Sequence, residues 1–160
     1  STVEGSTVLT DMIKGFEEFG SSVVALMEVP PESISAYGCA AVEEDSGSLR
    51  RITEVVEKPD PSVAPSNLAV MGRYLFTSEI FEQLADAEPG VGGEIQLTDA
   101  IERLIGIETV YGYVFDSGRY DIGKKIDYLR ATVELALRRN DLGPEFRSFL
   151  ADVCRREGLT

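Results

Sequence analysis

Four stretches of this chain concentrate side chains able to do chemistry. Val55-Val56-Glu57-Lys58-Pro59 runs two β-branched residues into an acid, a base and a proline, the pattern of a strand that stops abruptly at its rim. Neighbouring strand residues point to opposite faces, but a turn forced at the proline can bring both heads to one rim. A carboxylate accepts hydrogen bonds from sugar hydroxyls, and an ammonium is a compact partner for phosphate. As a site, the pair would take a phosphorylated sugar; as a surface feature, it is an exposed ion pair of small energetic weight.

The other three stretches are more ambiguous by themselves. Asn67 to Tyr74 reads as a strand with Gly72 inside it, which fits either a packing bulge or the close approach of a ligand. Gly92-Gly93-Glu94-Ile95-Gln96-Leu97-Thr98-Asp99 opens a helix. Gly90, Gly92 and Gly93 do not match the spacing of the P-loop or the dinucleotide fingerprint, and Thr98 and Asp99 read as caps and dipole partners. Asp116 to Gly123 places two carboxylates, Asp116 and Asp121, in a loop after a strand. A carboxylate there either holds Mg2+ or caps the next helix.

The elements that must position these residues follow from periodicity. Residues 6–20 predict a helix with Leu9, Met12, Ile13, Phe16 and Phe19 on one face and Gly20 as its stop. Val23 to Met27 is a near-continuous apolar run, the signature of a strand buried on both faces. Gly38–Glu43 and Leu49–Glu57 predict two strands joined by a turn at Asp45-Ser46-Gly47, followed by an extended loop over 59–66. A strand over 68–76, helices near 78–87 and 96–106, and a strand over 109–115 come next. Two helices finish the chain, one carrying Ile122, Ile126, Leu129, Val133 and Leu137, the other starting near Pro144 and carrying Phe146, Phe149, Leu150 and Val153. The pattern is mixed α/β with a helical tail, expected as a single domain over 1–160: a sheet region to about 121, then C-terminal helices from about 122.

Composition restricts the chemistry. With 160 residues, 43% apolar and 27% charged, the chain can bury one sizeable core. The net charge of −13 argues against a nucleic-acid backbone as partner. No apolar run approaches the roughly 20 residues of a membrane helix, and no signal-like start is present. Cys39 and Cys154 are far apart and lack metal spacing; two buried free thiols in a cytoplasmic protein are expected. There is no histidine, which excludes His-based triads and imidazole zinc sites. Catalysis must run on carboxylates, Lys, Arg, a metal or positioning.

Taken together the stretches are specific. The ordered set Ala36-Tyr37-Gly38, Val56-Glu57-Lys58-Pro59, Ser66 to Tyr74, Gly93 to Asp99 and Tyr120-Asp121-Ile122-Gly123 resembles the bacterial UTP–glucose-1-phosphate uridylyltransferases, within the sugar-nucleotidyltransferase superfamily. The resemblance runs from about residue 8 to about residue 150. It implies a partial Rossmann-like nucleotidyltransferase fold with a mixed sheet, and transfer of a uridylyl group from UTP to glucose 1-phosphate, giving UDP-glucose and pyrophosphate. It assigns Gly38 a backbone contact to the sugar, Glu57 the glucose hydroxyls, Lys58 the sugar phosphate and a catalytic role, Gly72 the sugar pocket, and Asp121 a catalytic Mg2+ ligand. Glu94 matches a substrate-site position whose contact is open; it could simply order its loop.

The family's opening strand, its glycine-rich nucleotide loop and an earlier metal-binding aspartate have no counterpart in this sequence. The resemblance therefore implies the C-terminal portion of such an enzyme, with the N-terminal nucleotide-binding segment absent and the chain alone inactive. Its further implications are a homo-oligomer formed through the C-terminal helices and a cytoplasmic location. A non-catalytic assembly module and a transferase for another sugar or base are the competing readings.

Overall fold

The computed structural model describes residues 7–43, 47–90, 93–116 and 125–159. The described chain falls into two compact units, one spanning Ser6–Asp116 and one holding the helices after Asp116. In the first unit, α1 (Val8–Phe19) leads into β1 (Val23–Glu28), a short 3-10 turn (Pro31–Ala36), β2 (Gly38–Val42), β3 (Leu49–Glu57) and β4 (Leu68–Leu75). Helices α2 (Glu79–Ala85) and α3 (Leu97–Ile105) precede β5 (Tyr111–Phe115). The fold is mixed α/β, as the sequence predicts. The turn at Asp45 and Ser46 lies outside the described residues.

The sheet is mixed. β1 runs parallel to β5 and antiparallel to β4, while β3 is antiparallel to both β2 and β5. The strands close into a ring in the order β1-β4-β2-β3-β5, a closure that the sequence does not announce. Two irregularities permit it. β3 slips register between the Ala41–Glu54 and Val42–Ile52 pairs, so its start joins β5 and its end joins β2. The extra residue bends the strand, and beyond it the Val55 N–H donates to Glu102 Oε2 of α3 at 2.6 Å. β2 and β4 meet at a single pair, Cys39 with Ala69. Ser66 ties them there, donating from Oγ to the Ala40 carbonyl at 2.6 Å and accepting the Leu68 N–H at 2.9 Å.

Each face of the sheet packs its own core. Val24, Leu26, Ile52, Val55 and Val70 bury against Ile80, Ile101 and Leu104 of α2 and α3. Val23, Ala25, Cys39 and Met71 bury on the other face with Val8 and Met12 of α1. The apolar run of β1 is thus covered on both sides, as continuous hydrophobicity requires.

Gly20 ends α1 in the left-handed conformation (φ 60°) that glycine adopts without penalty. The expected inward face is only partly correct. Val8, Met12 and Gly15 are buried, whereas Leu9, Ile13 and Phe19 are exposed. The helix seats on Gly15, where an added Cβ would lie 2.6 Å from Leu49 Cδ1. That close approach turns Leu9 and Ile13 outward.

The second unit contains α4 (Lys125–Arg138) and α5 (Gly143–Glu157), with Pro144 in the first turn of α5 as expected. Its only buried residues among those described are Ala131 and Gly143. Ile126, Leu129 and Phe149 of the predicted stripes are exposed, and Phe146 and Phe149 stack with centroids 6.2 Å apart. Ile122 lies outside the described residues. Both cysteines are free; Cys39 is buried, as expected, but Cys154 is only half-buried.

Candidate functional site

Glu57 and Lys58 occupy the end of β3, and the turn there brings both heads to one rim. Gly38 pairs with Glu57 across the β2–β3 ladder, and the Lys58 N–H makes a last hydrogen bond to the Tyr37 carbonyl at 3.1 Å. Lys58 then adopts φ 41°, and no other non-glycine residue among those described has a positive φ. A left-handed residue directly before a proline is disfavoured and costs about 1–3 kcal/mol. Its effect is visible in the side chains: Lys58 Nζ returns to within 3.2 Å of Glu57 Oε1. Ordinary strand alternation would have placed the two heads on opposite faces.

The two side chains differ in freedom. Lys58 is 59% exposed, Glu57 only 25%. The ion pair is solvent-screened and weak, so the ammonium can exchange its partner for a phosphate at little cost. Glu57 is held from the opposite side as well, because Thr98 Oγ1 donates to its Oε2 at 2.8 Å. Thr98 is buried in the first turn of α3, so the carboxylate faces the positive end of that helix dipole. The sequence reading of Thr98 as a cap is corrected here. The N-cap is Gln96, with no side-chain capping bond, and the Thr98 hydroxyl reaches across 41 residues of chain to β3. No local signal points to that contact; only the position of α3 over the sheet end supplies it.

Gly38 is enclosed. A Cβ there would lie 2.5 Å from Thr98 Cγ2, 3.5 Å from Glu57 Oε2 and 3.6 Å from Val70 Cβ. Its backbone is therefore bare beside the carboxylate because a side chain would not fit.

Gly72 lies on β4, where the register against β1 slips between the Val24–Tyr74 and Leu26–Val70 pairs. The bulge expected from a glycine in a strand is present. Val70 and Tyr74, on either side of Gly72 in sequence, pack into the same core, and a Cβ at Gly72 would meet nothing within 4 Å. Burial, and after it the negative charge of Glu57, push the Tyr74 phenol above its ordinary pKa; its ring stacks on Phe76 at 5.4 Å. Gly38, Glu57, Lys58, Val70 and Thr98 thus converge, with Gly72 leaving open space along the adjacent strand.

Two expected residues are not brought into this cluster. Glu94 is exposed, and what it contributes to the described structure is its backbone: its carbonyl accepts the Gly90 N–H at 2.9 Å, next to Gly93 with φ 78°. Gly92 lies outside the described residues, as does Asp121, the expected metal ligand. Among the described residues no group of three or more Cys, Asp or Glu side chains could hold a metal ion.

A separate cavity of about 450 Å3 opens where the parallel strands β1 and β5 end, lined by Glu28, Val29, Pro30, Asn67, Phe115 and Asp116 among others. Strand carboxyl ends are the usual ligand position in α/β sheets. Here Asn67 Nδ2 donates to Glu28 Oε1 at 2.7 Å. None of Gly38, Glu57, Lys58 or Gly72 lines this cavity. The convergence of a fixed acid, an exposed base and a bare backbone makes the β3 end the stronger candidate for chemistry.

Comparison with known proteins agrees with the motifs. A sequence model for nucleotidyl transferases matches residues 5–137. A relative from Staphylococcus epidermidis named UTP–glucose-1-phosphate uridylyltransferase is 40% identical over 149 residues, covering 92% of this chain and 52% of its own. A protein of the same name from Haemophilus influenzae is 43% identical over 150 residues, covering 92% and 51%. The chain spans about half the length of the curated relatives it matches. A solved UDP-glucose pyrophosphorylase complexed with UDP-glucose aligns with a TM-score of 0.79 at 36% identity, over 86% of this chain and 52% of that one. The UTP-bound enzyme from Acinetobacter baumannii aligns with a TM-score of 0.81 at 31% identity, over 94% and 52%.

Proposed function

We propose a function from one established premise: this chain belongs to the nucleotidyl transferase family, whose model matches most of its length. In our reading it forms the sugar-phosphate side of a UTP–glucose-1-phosphate uridylyltransferase. The single observation that carries this is the Glu57–Lys58 strand end, an acid fixed by Thr98 beside an exposed base held to it only by a solvent-screened ion pair. Relatives at 40% and 43% identity bear that enzyme's name, which supports the choice of sugar and base.

The reaction suits these residues. A phosphate oxygen of glucose 1-phosphate forms a bond to the α-phosphorus of UTP as the bond to pyrophosphate breaks, and pyrophosphate leaves with the electron pair. The nucleophile is already ionised near pH 7, so a chain without histidine needs no general base. It needs alignment and charge neutralisation. Glu57 accepts hydrogen bonds from glucose hydroxyls, the open space at Gly72 admits the ring, the Gly38 backbone contacts the sugar, and Lys58 takes the phosphate in place of Glu57. A divalent cation, Mg2+ in our reading, would neutralise phosphate charge when bound. The ligand the resemblance implies for it, Asp121, is outside the described residues, and the described carboxylates form no group of three or more that could hold it.

The remaining expectations belong to the same proposal: a cytoplasmic protein and a homo-oligomer joined through the exposed apolar residues of α4 and α5. No helix among the described residues is long and apolar enough to cross a membrane. A strictly monomeric full-length protein in light scattering would remove the oligomer. The site itself is tested by Glu57→Gln in the full-length protein. The KM for glucose 1-phosphate should rise about tenfold, the worth of a hydrogen bond to a charged group, with the KM for UTP nearly unchanged. Equal changes in both would overturn the sugar contact.

A further inference from the structure

Thr98 is used at both ends of its side chain. The hydroxyl donates to Glu57 Oε2 at 2.8 Å, and the methyl stands over Gly38, where an added Cβ would be only 2.5 Å away. Serine would keep the first contact and lose the second; valine would do the reverse. β-Branching leaves Thr98 few rotamers in a helix, and burial in the first turn of α3 fixes its backbone. The residue is thus a rigid bracket between the α3 terminus, the acid of β3 and the bare backbone of β2.

We propose that Thr98 is a positioning residue for the sugar site: it fixes the orientation of the Glu57 carboxylate, and with it the hydroxyl pattern the site accepts. The inference rests on the reading of Glu57 as the sugar-binding acid. A carboxylate offers about four lone-pair positions. Thr98 occupies one on Oε2, and Lys58 approaches Oε1 from the solvent side. Because the Lys58 ammonium is the exposed partner, it is the one displaced toward phosphate when substrate enters. Thr98 then remains the fixed donor that keeps the free lone pairs of Glu57 aimed at the ring hydroxyls. A carboxylate aimed before binding loses less rotamer freedom on binding, and orientation of this kind contributes directly to rate.

The test uses the full-length protein, with steady-state kinetics for both substrates and a thermal melt for each variant. Thr98→Val keeps the shape and removes the donor; it should raise the KM for glucose 1-phosphate about tenfold and leave the KM for UTP within about twofold. Thr98→Ser restores the donor and should return the sugar-phosphate KM to within about threefold of the parent. Thr98→Ala carries the same expectation as Thr98→Val should the valine protein fail to fold. In a Glu57→Gln background, Thr98→Val should add less than about twofold, because the two residues act as one unit.

A Thr98→Val protein with a lower melting midpoint and unaltered KM values would reduce Thr98 to a packing residue and overturn the proposal. So would an equal rise in both KM values. Should Glu57→Gln raise the sugar-phosphate KM while Thr98→Val does not, only the positioning role falls. Should Glu57→Gln leave that KM unmoved, the sugar reading and the positioning role fall together.

Discussion

Glu57 and Glu108 are both acids held by hydroxyl groups at the margin of the sheet, and they are held differently. Glu108 spends its two oxygens on fixed neutral donors, taking Ser22 Oγ on Oε1 at 2.6 Å and Thr77 Oγ1 on Oε2 at 3.0 Å. Ser22 is fully buried and also accepts the Thr77 N–H at 3.0 Å. The knot joins the start of β1, the entry to α2 and the approach to β5, and it leaves little capacity for a ligand. Glu57 gives one oxygen to a fixed donor and the other to an exposed lysine. A carboxylate held on both oxygens by fixed neutral donors is structural, whereas one held by a fixed donor and an exposed ion partner is oriented and still available. The hydrogen-bonding groups are nearly the same in the two places; what separates them is whether the second partner can leave.

That contrast can be broken by substitution. The largest effect belongs to Lys58→Ala, which should lower turnover of the full-length protein at least about 100-fold, the scale of losing one key electrostatic stabiliser. Steady-state rates at saturating substrate check it, and near-normal turnover would remove Lys58 from the mechanism. Next comes Glu108→Ala, which strips the acceptor from the buried Ser22 hydroxyl and should cost about 2 kcal/mol. A circular-dichroism melt should show a midpoint several degrees lower, with the KM values of the folded protein unaltered. A change in KM for glucose 1-phosphate in that variant would dissolve the distinction between the two acids. The smallest effect is the stability of Glu57→Gln. Its partner lysine is exposed and its amide can still accept from Thr98, so the midpoint should move by no more than about 1–2 °C. A drop as large as that of Glu108→Ala would make Glu57 structural too.

Much of the fold is legible in the sequence wherever the governing forces are local. β3 runs over Leu49–Glu57 as its alternation and turn residues indicate, and Gly20 stops α1 because it takes the left-handed conformation freely. The inward positions Ala100, Ile101 and Leu104 of α3 follow from helical period. Legibility fails where the partner is distant in sequence. Thr98 sits where a cap or dipole partner belongs, and its hydroxyl nonetheless goes to Glu57, 41 residues earlier. Ser22 and Glu108 meet across 86 residues, with no pattern around either to suggest it. In α1, the close approach of Gly15 to Leu49 goes with Leu9 and Ile13 turning outward.

The candidate site divides in the same way. The ordered motifs that contain Gly38, Glu57, Lys58, Gly72 and Asp121 are enough to indicate the nucleotidyl transferase family, and the sugar-phosphate roles of these residues are our proposal. The motifs depend on composition and spacing, which the chain carries by itself. Which acid is held by an exposed partner and which is tied into a knot of hydroxyls, how an acid and base adjacent on a strand share one rim, and why Gly38 must stay bare are settled only by tertiary packing. The physical reason is common to all three: hydrogen bonds and excluded volume act over a few ångströms, and only the folded sheet with α3 across its end brings the groups that exert them within that range.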